Sequence, residues 1–206
     1  MSVTKSRIGR SFRFSVRTLL LVVVVCAFIL GYGGHELRRA TVERRAVEEI
    51  ERLGGRVIYD FELEVGDEDF ANRAYNLYAQ PPGPAWLRRF LGNHFFARPV
   101  EVFLSRRDSI VSDDDLMHLK SFTDLKSLGL EHTKISNKAI QFLSEKHGQQ
   151  LRELSIFDTA VDDGALPYLI KMKRLQYLAL PRDGFSEEAV QILRRELPDT
   201  DIRLRS

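Results

Sequence analysis

Between residues 125 and 180 the apolar positions fall into three hexads of one pattern, apolar-x-x-apolar-x-apolar: Leu125–Leu130, Leu151–Ile156 and Leu175–Leu180. Their first leucines lie 26 and then 24 residues apart. The alternation that closes each hexad predicts a short strand with one face turned inward. After it come Thr133-Lys134-Ile135 in one unit and Thr159-Ala160-Val161 in the next, then a helix-start signal: Ser136-Asn137, Asp162-Asp163 or Ser186-Glu187-Glu188. Their side-chain oxygens can cap the first free N–H groups of a helix. An apolar pair and a leucine three residues on follow: Ala139-Ile140 with Leu143, Ala165-Leu166 with Leu169, Ala189-Val190 with Leu193. That spacing marks one buried side of a short helix. Each unit therefore reads as strand, turn, helix and return.

A degenerate unit precedes these three. Val100–Leu104 alternates like a strand, and Ser112-Asp113-Asp114-Asp115-Leu116 repeats the cap, with Leu119 after it. The stretch Leu197–Leu204 reads as a fifth strand that ends the stack. A period in the twenties carrying this hexad indicates a leucine-rich-repeat solenoid: an α/β fold with parallel strands inside and helices outside. No single unit can bury its apolar side alone, so neighbours must supply the core. The alternative is an ordinary α/β domain whose leucine spacing is coincidental.

The N-terminus has a different pattern. Residues 1–34 contain Lys5, Arg7, Arg10, Arg13 and Arg17 and no acid. Val16 to Gly34 is a nearly unbroken apolar run of 19 residues. As a helix it would span about 28 Å at about 1.5 Å per residue, close to a hydrocarbon core of about 30 Å. β-Branched residues run all round it and leave no polar face, and Arg17 can snorkel to the headgroups. A single transmembrane helix is the expectation. Cleavage as a signal peptide stands beside it, because Gly31-Tyr32-Gly33 imitates the small-x-small site. A lipid on Cys26 is opposed by Val25, where a small residue is needed, and by the mid-span position of the cysteine. Phe14–Leu20 also resembles the processing site of type IV pilins, but Arg13 and Thr18 stand where those carry Gly and Glu.

Between anchor and repeats, Glu36–Leu53 predicts a helix with Val42, Ala46, Val47, Ile50 and Leu53 along one side. Pairs such as Arg44 with Glu48 and Glu48 with Arg52 lie on the other, and Gly54-Gly55 ends it. A coiled-coil seam is an alternative use, although fewer than three heptads fit. Arg56–Leu63 alternates as a strand. The polar stretch 64–84 carries Asp67-Glu68-Asp69, which lacks the alternating ligand set of a calcium loop and reads as a solvated turn. Ala85–Leu91 predicts a short amphipathic helix closed by Gly92-Asn93. Trp86, Leu87, Phe90, Leu91, Phe95 and Phe96 are then expected to plug the open N-terminal edge of the solenoid, with Arg88 and Arg89 on the solvated side. The organisation is thus a basic cytoplasmic tail at 1–15, a transmembrane helix at 16–34, a juxtamembrane helix at 35–55, a strand, loop and capping region at 56–99, and repeats at 100–206.

Composition narrows function. Beyond the five N-terminal cations, residues 35–206 hold 26 basic and 29 acidic side chains, which gives no basic field for nucleic acid. Cys26 is the only cysteine, so neither an intramolecular disulfide nor a Cys-rich zinc site can form. His35, His94, His118, His132 and His147 occur singly without metal-binding spacing, and no nucleophile elbow or nucleotide-binding glycine loop is present. The reading is of no catalytic residue, no cofactor and no metal.

These residues resemble the short membrane-anchored bacterial leucine-rich-repeat proteins. The likeness rests on Phe14–Leu20 against the family's F-S-[LV]-R-T-L-L anchor, Glu51–Gly55 against E-x-L-G-G, and Val57–Phe61 against its strand. It extends to Pro84–Phe96 against P-x-W-L-R-R-x-L-G-x-x-F-F and to the L-x-x-L-x-L-x-x-T-x-[VI]-[ST]-[DN] units. Pro181–Phe185 departs from that unit by losing the Thr. The resemblance implies a protein-interaction fold without a known reaction.

In such a fold the strand residues between the leucines point out along one concave face. That array comprises Glu101, Phe103 and Ser105, then Lys126, Ser127, Gly129 and Glu131, then Arg152, Glu153, Ser155 and Phe157, then Gln176, Tyr177 and Ala179. The expected partner-binding residues are Phe103, Lys126, Glu131, Arg152, Glu153, Phe157, Gln176 and Tyr177, since outward aromatics anchor protein interfaces. The expected partner is an unidentified protein; a structural envelope component and an uncharacterised enzyme are the alternatives. Orientation follows from the cations on the N-terminal side of the run, against five Arg balanced by five Glu in Glu36–Leu53: the positive side stays cytoplasmic. A reporter enzyme fused after Ser206 is expected to be active outside the cytoplasm, and activity confined to the cytosol would exclude this orientation.

Overall fold

The computed structural model describes residues 16–63, 75–76, 78–92, 95–105 and 111–205; of the side chains between 16 and 33 it describes Leu20 and Val23. The tail at 1–15, the Cys26 side chain, the trio Asp67-Glu68-Asp69, Asn93, His94 and the loop at 106–110 lie outside the described residues. The chain divides into two compact parts, residues 1–38 and 39–206.

In the first part the backbone is helical from Val16, as the start of α1 (Val16–Arg52). α1 runs through both segments expected to be helical, 16–34 and 35–55, and ends at Arg52. Among the described residues no helix is long and apolar enough to cross a membrane; the side chains of the apolar run fall almost wholly outside them.

In the second part α1 buries Ala40, Glu43, Ala46, Val47 and Ile50. Val42, expected on that side, is exposed. Glu43 takes the inward position instead because Arg39 reaches it at 3.4 Å one turn earlier, and pairing makes the buried carboxylate tolerable. Arg44 and Glu48 pair as expected at 3.7 Å, whereas Arg52 pairs with Glu49 at 3.0 Å. With Ala46, Val47 and Ile50 inside the core, the residues a coiled-coil seam needs are occupied. Gly54 ends the helix at φ 79, the left-handed region that favours glycine, while Gly55 N–H donates to the Ile50 carbonyl at 2.9 Å.

The described residues form a six-stranded sheet in sequence order. β1 (Arg56–Tyr59) pairs antiparallel with β2 (Pro99–Phe103). β3 (Ser127–Gly129), β4 (Glu153–Ser155), β5 (Tyr177–Pro181) and β6 (Asp201–Arg205) then follow in parallel. The register holds Val102, Leu128, Leu154, Leu178 and Ile202 in one inward row. The three hexads therefore lie side by side, and their leucines and Ile156 are fully or almost fully buried. Crossovers run through a 3₁₀ segment (Asp113–Ser121), α3 (Asn137–His147), a short 3₁₀ turn with α4 (Leu166–Leu169), and α5 (Glu187–Glu196). Ala139, Ile140, Leu143, Ala165, Leu169, Ala189, Val190 and Leu193 all join the core, as the spacing requires. The α4 crossover stays short around Pro167, whose ring has no N–H to donate.

The turns obey a shared rule. Thr133 and Thr159 hydroxyls each donate to the carbonyl three residues back, Leu130 and Ile156, at 2.6 Å. The unit without Thr extends β5 through Pro181, and Arg182 N–H donates to the Arg205 carbonyl at 2.9 Å. Phe185 then fills the place of Ile135 and Val161. Gly184 is required there, since a Cβ would sit 2.3 Å from the Val161 carbonyl oxygen.

A second rule links successive units. Asp113 accepts from the Ser136 N–H at 2.7 Å and from its hydroxyl at 2.6 Å. Asn137 accepts from the Asp162 N–H at 3.1 Å and donates to its carboxylate at 2.6 Å. Asp163 accepts from the Ser186 N–H at 2.9 Å. Ser136, Asp162 and Ser186 in turn cap their own helical turns. The Asn137 amide and the Gly164 N–H hold the Asp162 carboxyl below its ordinary pKa.

The N-terminal edge is closed by α1 and β1, not by the aromatic segment. Ile50 and Val57 belong to the core, while on α2 (Ala85–Leu91) Trp86 and Phe90 are 70% and 83% exposed. A paired strand satisfies the backbone edge of β2 as well as covering its side chains, which a short helix cannot do. Leu87, Leu91, Phe95 and Phe96 are half-buried. Arg88, expected in solvent, is half-buried and donates to the Pro81 carbonyl and, at 2.8 Å, to Gln80 Oε1.

His147, at the end of α3, is buried with Nδ1 2.8 Å from Gln150 Nε2, and its Nε2 has no hydrogen-bond partner among the described residues. Burial lowers its pKa from 6.5 to about 4; the Leu119 carbonyl nearby opposes the shift and the Lys146 cation adds to it.

Two outcomes follow. Asp113→Ala removes two part-buried hydrogen bonds between successive units and should cost about 1–2 kcal/mol in urea unfolding, with Asp113→Asn, which keeps one acceptor, costing less. Between pH 6.5 and about 4 the unfolded chain binds a proton that folded His147 refuses. Stability should therefore fall as pH drops through that window, by about 1.4 kcal/mol per pH unit at its steepest. Unfolding midpoints of His147→Gln should lose that component of the slope.

Candidate functional site

The face of the sheet away from the helices carries the outward side chains in rows set by the strand register. One row is Glu101, Ser127, Glu153, Tyr177 and Asp201, and the next is Phe103, Gly129, Ser155, Ala179 and Arg203. Lys126, Arg152 and Gln176 precede the first row on consecutive strands, with Lys126, Arg152 and Gln176 N–H donating to the carbonyls of Val100, Lys126 and Arg152 at 2.6–2.8 Å. All three side chains are exposed.

Much of the expected array is not open to solvent. Glu153, expected as a contact residue, is only 5% exposed, and Glu101, Ser127, Gly129, Ser155 and Ala179 are buried too. Short side chains in a row are covered by long ones on adjacent strands. A Cβ on Gly129 would meet the Phe103 ring at 2.9 Å, so the absence of a side chain there is what admits the ring. Tyr75 donates its hydroxyl to Glu101 at 2.8 Å and closes the β2 end of the first row.

Phe157 and Tyr177 are half-buried under cations from the last strand. The Arg203 guanidinium lies 5.6 Å from the Tyr177 ring and that of Arg205 lies 5.9 Å from Phe157, both within cation–π range. Arg203 is also held by Asp201 at 2.7 Å. Phe103, Glu131, Phe157 and Tyr177 are thus half-buried side chains in a packed surface, and Glu131 accepts from the Ser105 hydroxyl.

Sequence reasoning passed over one pair. His132 Nδ1 lies 2.5 Å from Asp158 Oδ2, and the His132 ring meets the edge of Phe157 at 5.3 Å. Both residues occupy the left-handed backbone region, at φ 59 and 53. They stand at one position of adjacent units, two residues after the last apolar position of each hexad. That shared position, rather than any metal spacing, was the signal available in the sequence.

Beside Phe157 an open cavity of about 400 Å³ lies between the turns after β4 and β5 and the end of β6. Its lining carries Arg182 and Arg205 together with Asp158, Asp162 and Asp183. Among the described residues no group of three or more His, Cys, Asp or Glu side chains converges to hold a metal ion. A scan against protein-family models finds none that matches this chain, and a search of curated proteins finds no match either.

Proposed function

We propose that this chain is a membrane-anchored leucine-rich-repeat protein whose open strand face is a non-catalytic protein-interaction module on the outer side of the membrane. The repeats form a short solenoid, the segment 16–34 is its single membrane span, and the N-terminal tail is cytoplasmic. The observation that carries the reading is the in-register face. Lys126, Arg152 and Gln176 stand exposed immediately before β3, β4 and β5, beside Phe157 and Tyr177 held in fixed positions by Arg205 and Arg203. Rigid aromatics next to charged and amide side chains are the composition of interface anchors. The period of 24–26 residues between paired strands supports the solenoid reading.

The test is photocrosslinking from position 176 of the full chain in its own membranes. One discrete protein adduct is expected, lost when Phe157→Ala and Tyr177→Ala are combined. A diffuse set of neighbours unaffected by those changes would instead make the chain a structural envelope component.

A further inference from the structure

The segment Tyr75–Arg98 differs from everything around it in this domain. It has no acid, three arginines (Arg88, Arg89, Arg98) and six aromatic residues. The rest of residues 35–206 holds 23 basic and 29 acidic side chains, so a cationic, aromatic segment is set in an acidic domain. Its helix α2 turns Trp86 and Phe90, one turn apart, into solvent, and Tyr78 nearby in sequence is 96% exposed. This exposure is built rather than frayed. Arg88 ties α2 back to Gln80 and Pro81. Phe96 packs on Gly83, where a Cβ would lie 3.1 Å from its ring. Gly92 closes the helix by donating to the Arg88 carbonyl at 2.8 Å. Arg89 remains exposed beside Phe90.

The geometry points to α2 as an interfacial foot that seats Trp86 and Phe90 among the headgroups of an anionic phospholipid bilayer, with Arg89 on the lipid phosphates. Amphipathic tryptophan and phenylalanine favour the boundary between headgroup and acyl chain, and a cation beside them adds attraction to anionic lipid. The inference rests on the membrane-anchored reading above, because a tether raises the local concentration of bilayer and lets a small contact suffice.

Trp86 is the only tryptophan, so the intrinsic fluorescence of the chain reports this one site. The full-length protein is reconstituted into liposomes of equal parts phosphatidylcholine and phosphatidylglycerol, with or without bromine high on the acyl chains, and floated on a density gradient. Floating protein whose Trp86 emission is roughly halved by the brominated lipid, as an indole at headgroup depth requires, supports the inference. Phe90→Glu, at a position with no core contact to lose, should float equally and recover most of that emission. Floating protein with unquenched emission overturns the interfacial role alone. A blue-shifted but unquenched Trp86 does the same, since the indole is then buried against protein. Protein that fails to float overturns the anchored reading and this inference together.

Discussion

Successive units are held at one pitch by two ladders on opposite edges of the crossover. Along the strands, backbone N–H groups donate from each unit to the one before, as Arg152 does to Lys126 and Gln176 to Arg152. At the helix starts a side chain does the same work: Asp113, Asn137 and Asp163 each accept the N–H of the next unit's capping residue. That N–H precedes the helix and has no partner within it, so it would otherwise be left to water. The two ladders fix both ends of every crossover relative to its neighbour. The inward leucines then meet in continuous rows, and the hydrophobic core follows from that constraint. A change in crossover length is tolerated where both contacts survive, which is how spacings of 26 and 24 coexist in one sheet.

The inward half of this arrangement was legible because it depends on residue type and period alone. Leu128, Leu154 and Leu178 had to share a row once the hexads were aligned, and Ile140, Leu143 and Leu193 had to face them. The errors share a different cause. Val42 and Glu43 exchanged roles because a charged residue next to an apolar one reads as solvent-facing until its partner is known, and Arg39 supplies that partner. Alternation places Glu153 on the open side because it reports which side of a sheet a residue occupies, not how long its neighbours are on adjacent strands. Six large apolar groups in one segment predict an aromatic cap, but β1 with α1 satisfies the edge they would cover. The second residue of each cap pair is the subtler case. Its periodic recurrence is visible in Ser112-Asp113, Ser136-Asn137 and Asp162-Asp163, yet its partner lies one whole unit away.

On the open face, rigidity comes from the same stacking. Phe157 is gripped by His132 from the preceding unit and by Arg205 from the last strand, so two distant parts of the sequence position its ring. A side chain so constrained loses little conformational freedom on meeting a partner, which is the sense in which such a surface is preorganised. The left-handed backbone at His132 and Asp158 belongs to this picture: two side chains that would otherwise follow the strand outward are turned toward each other.

The two ends of the sheet are chemically unlike. β6 is the last strand at one end and carries Asp201, Arg203 and Arg205, whereas the opposite end is β1, running against its neighbour. Exposed strand edges invite other chains to add on, and charges along them discourage it. Head-to-tail growth of many copies would bring β6 against a β1 of reversed polarity and break the parallel sense at every junction. The polarity reversal at β1 would therefore make any such junction antiparallel, unlike the four parallel pairings from β2 to β6.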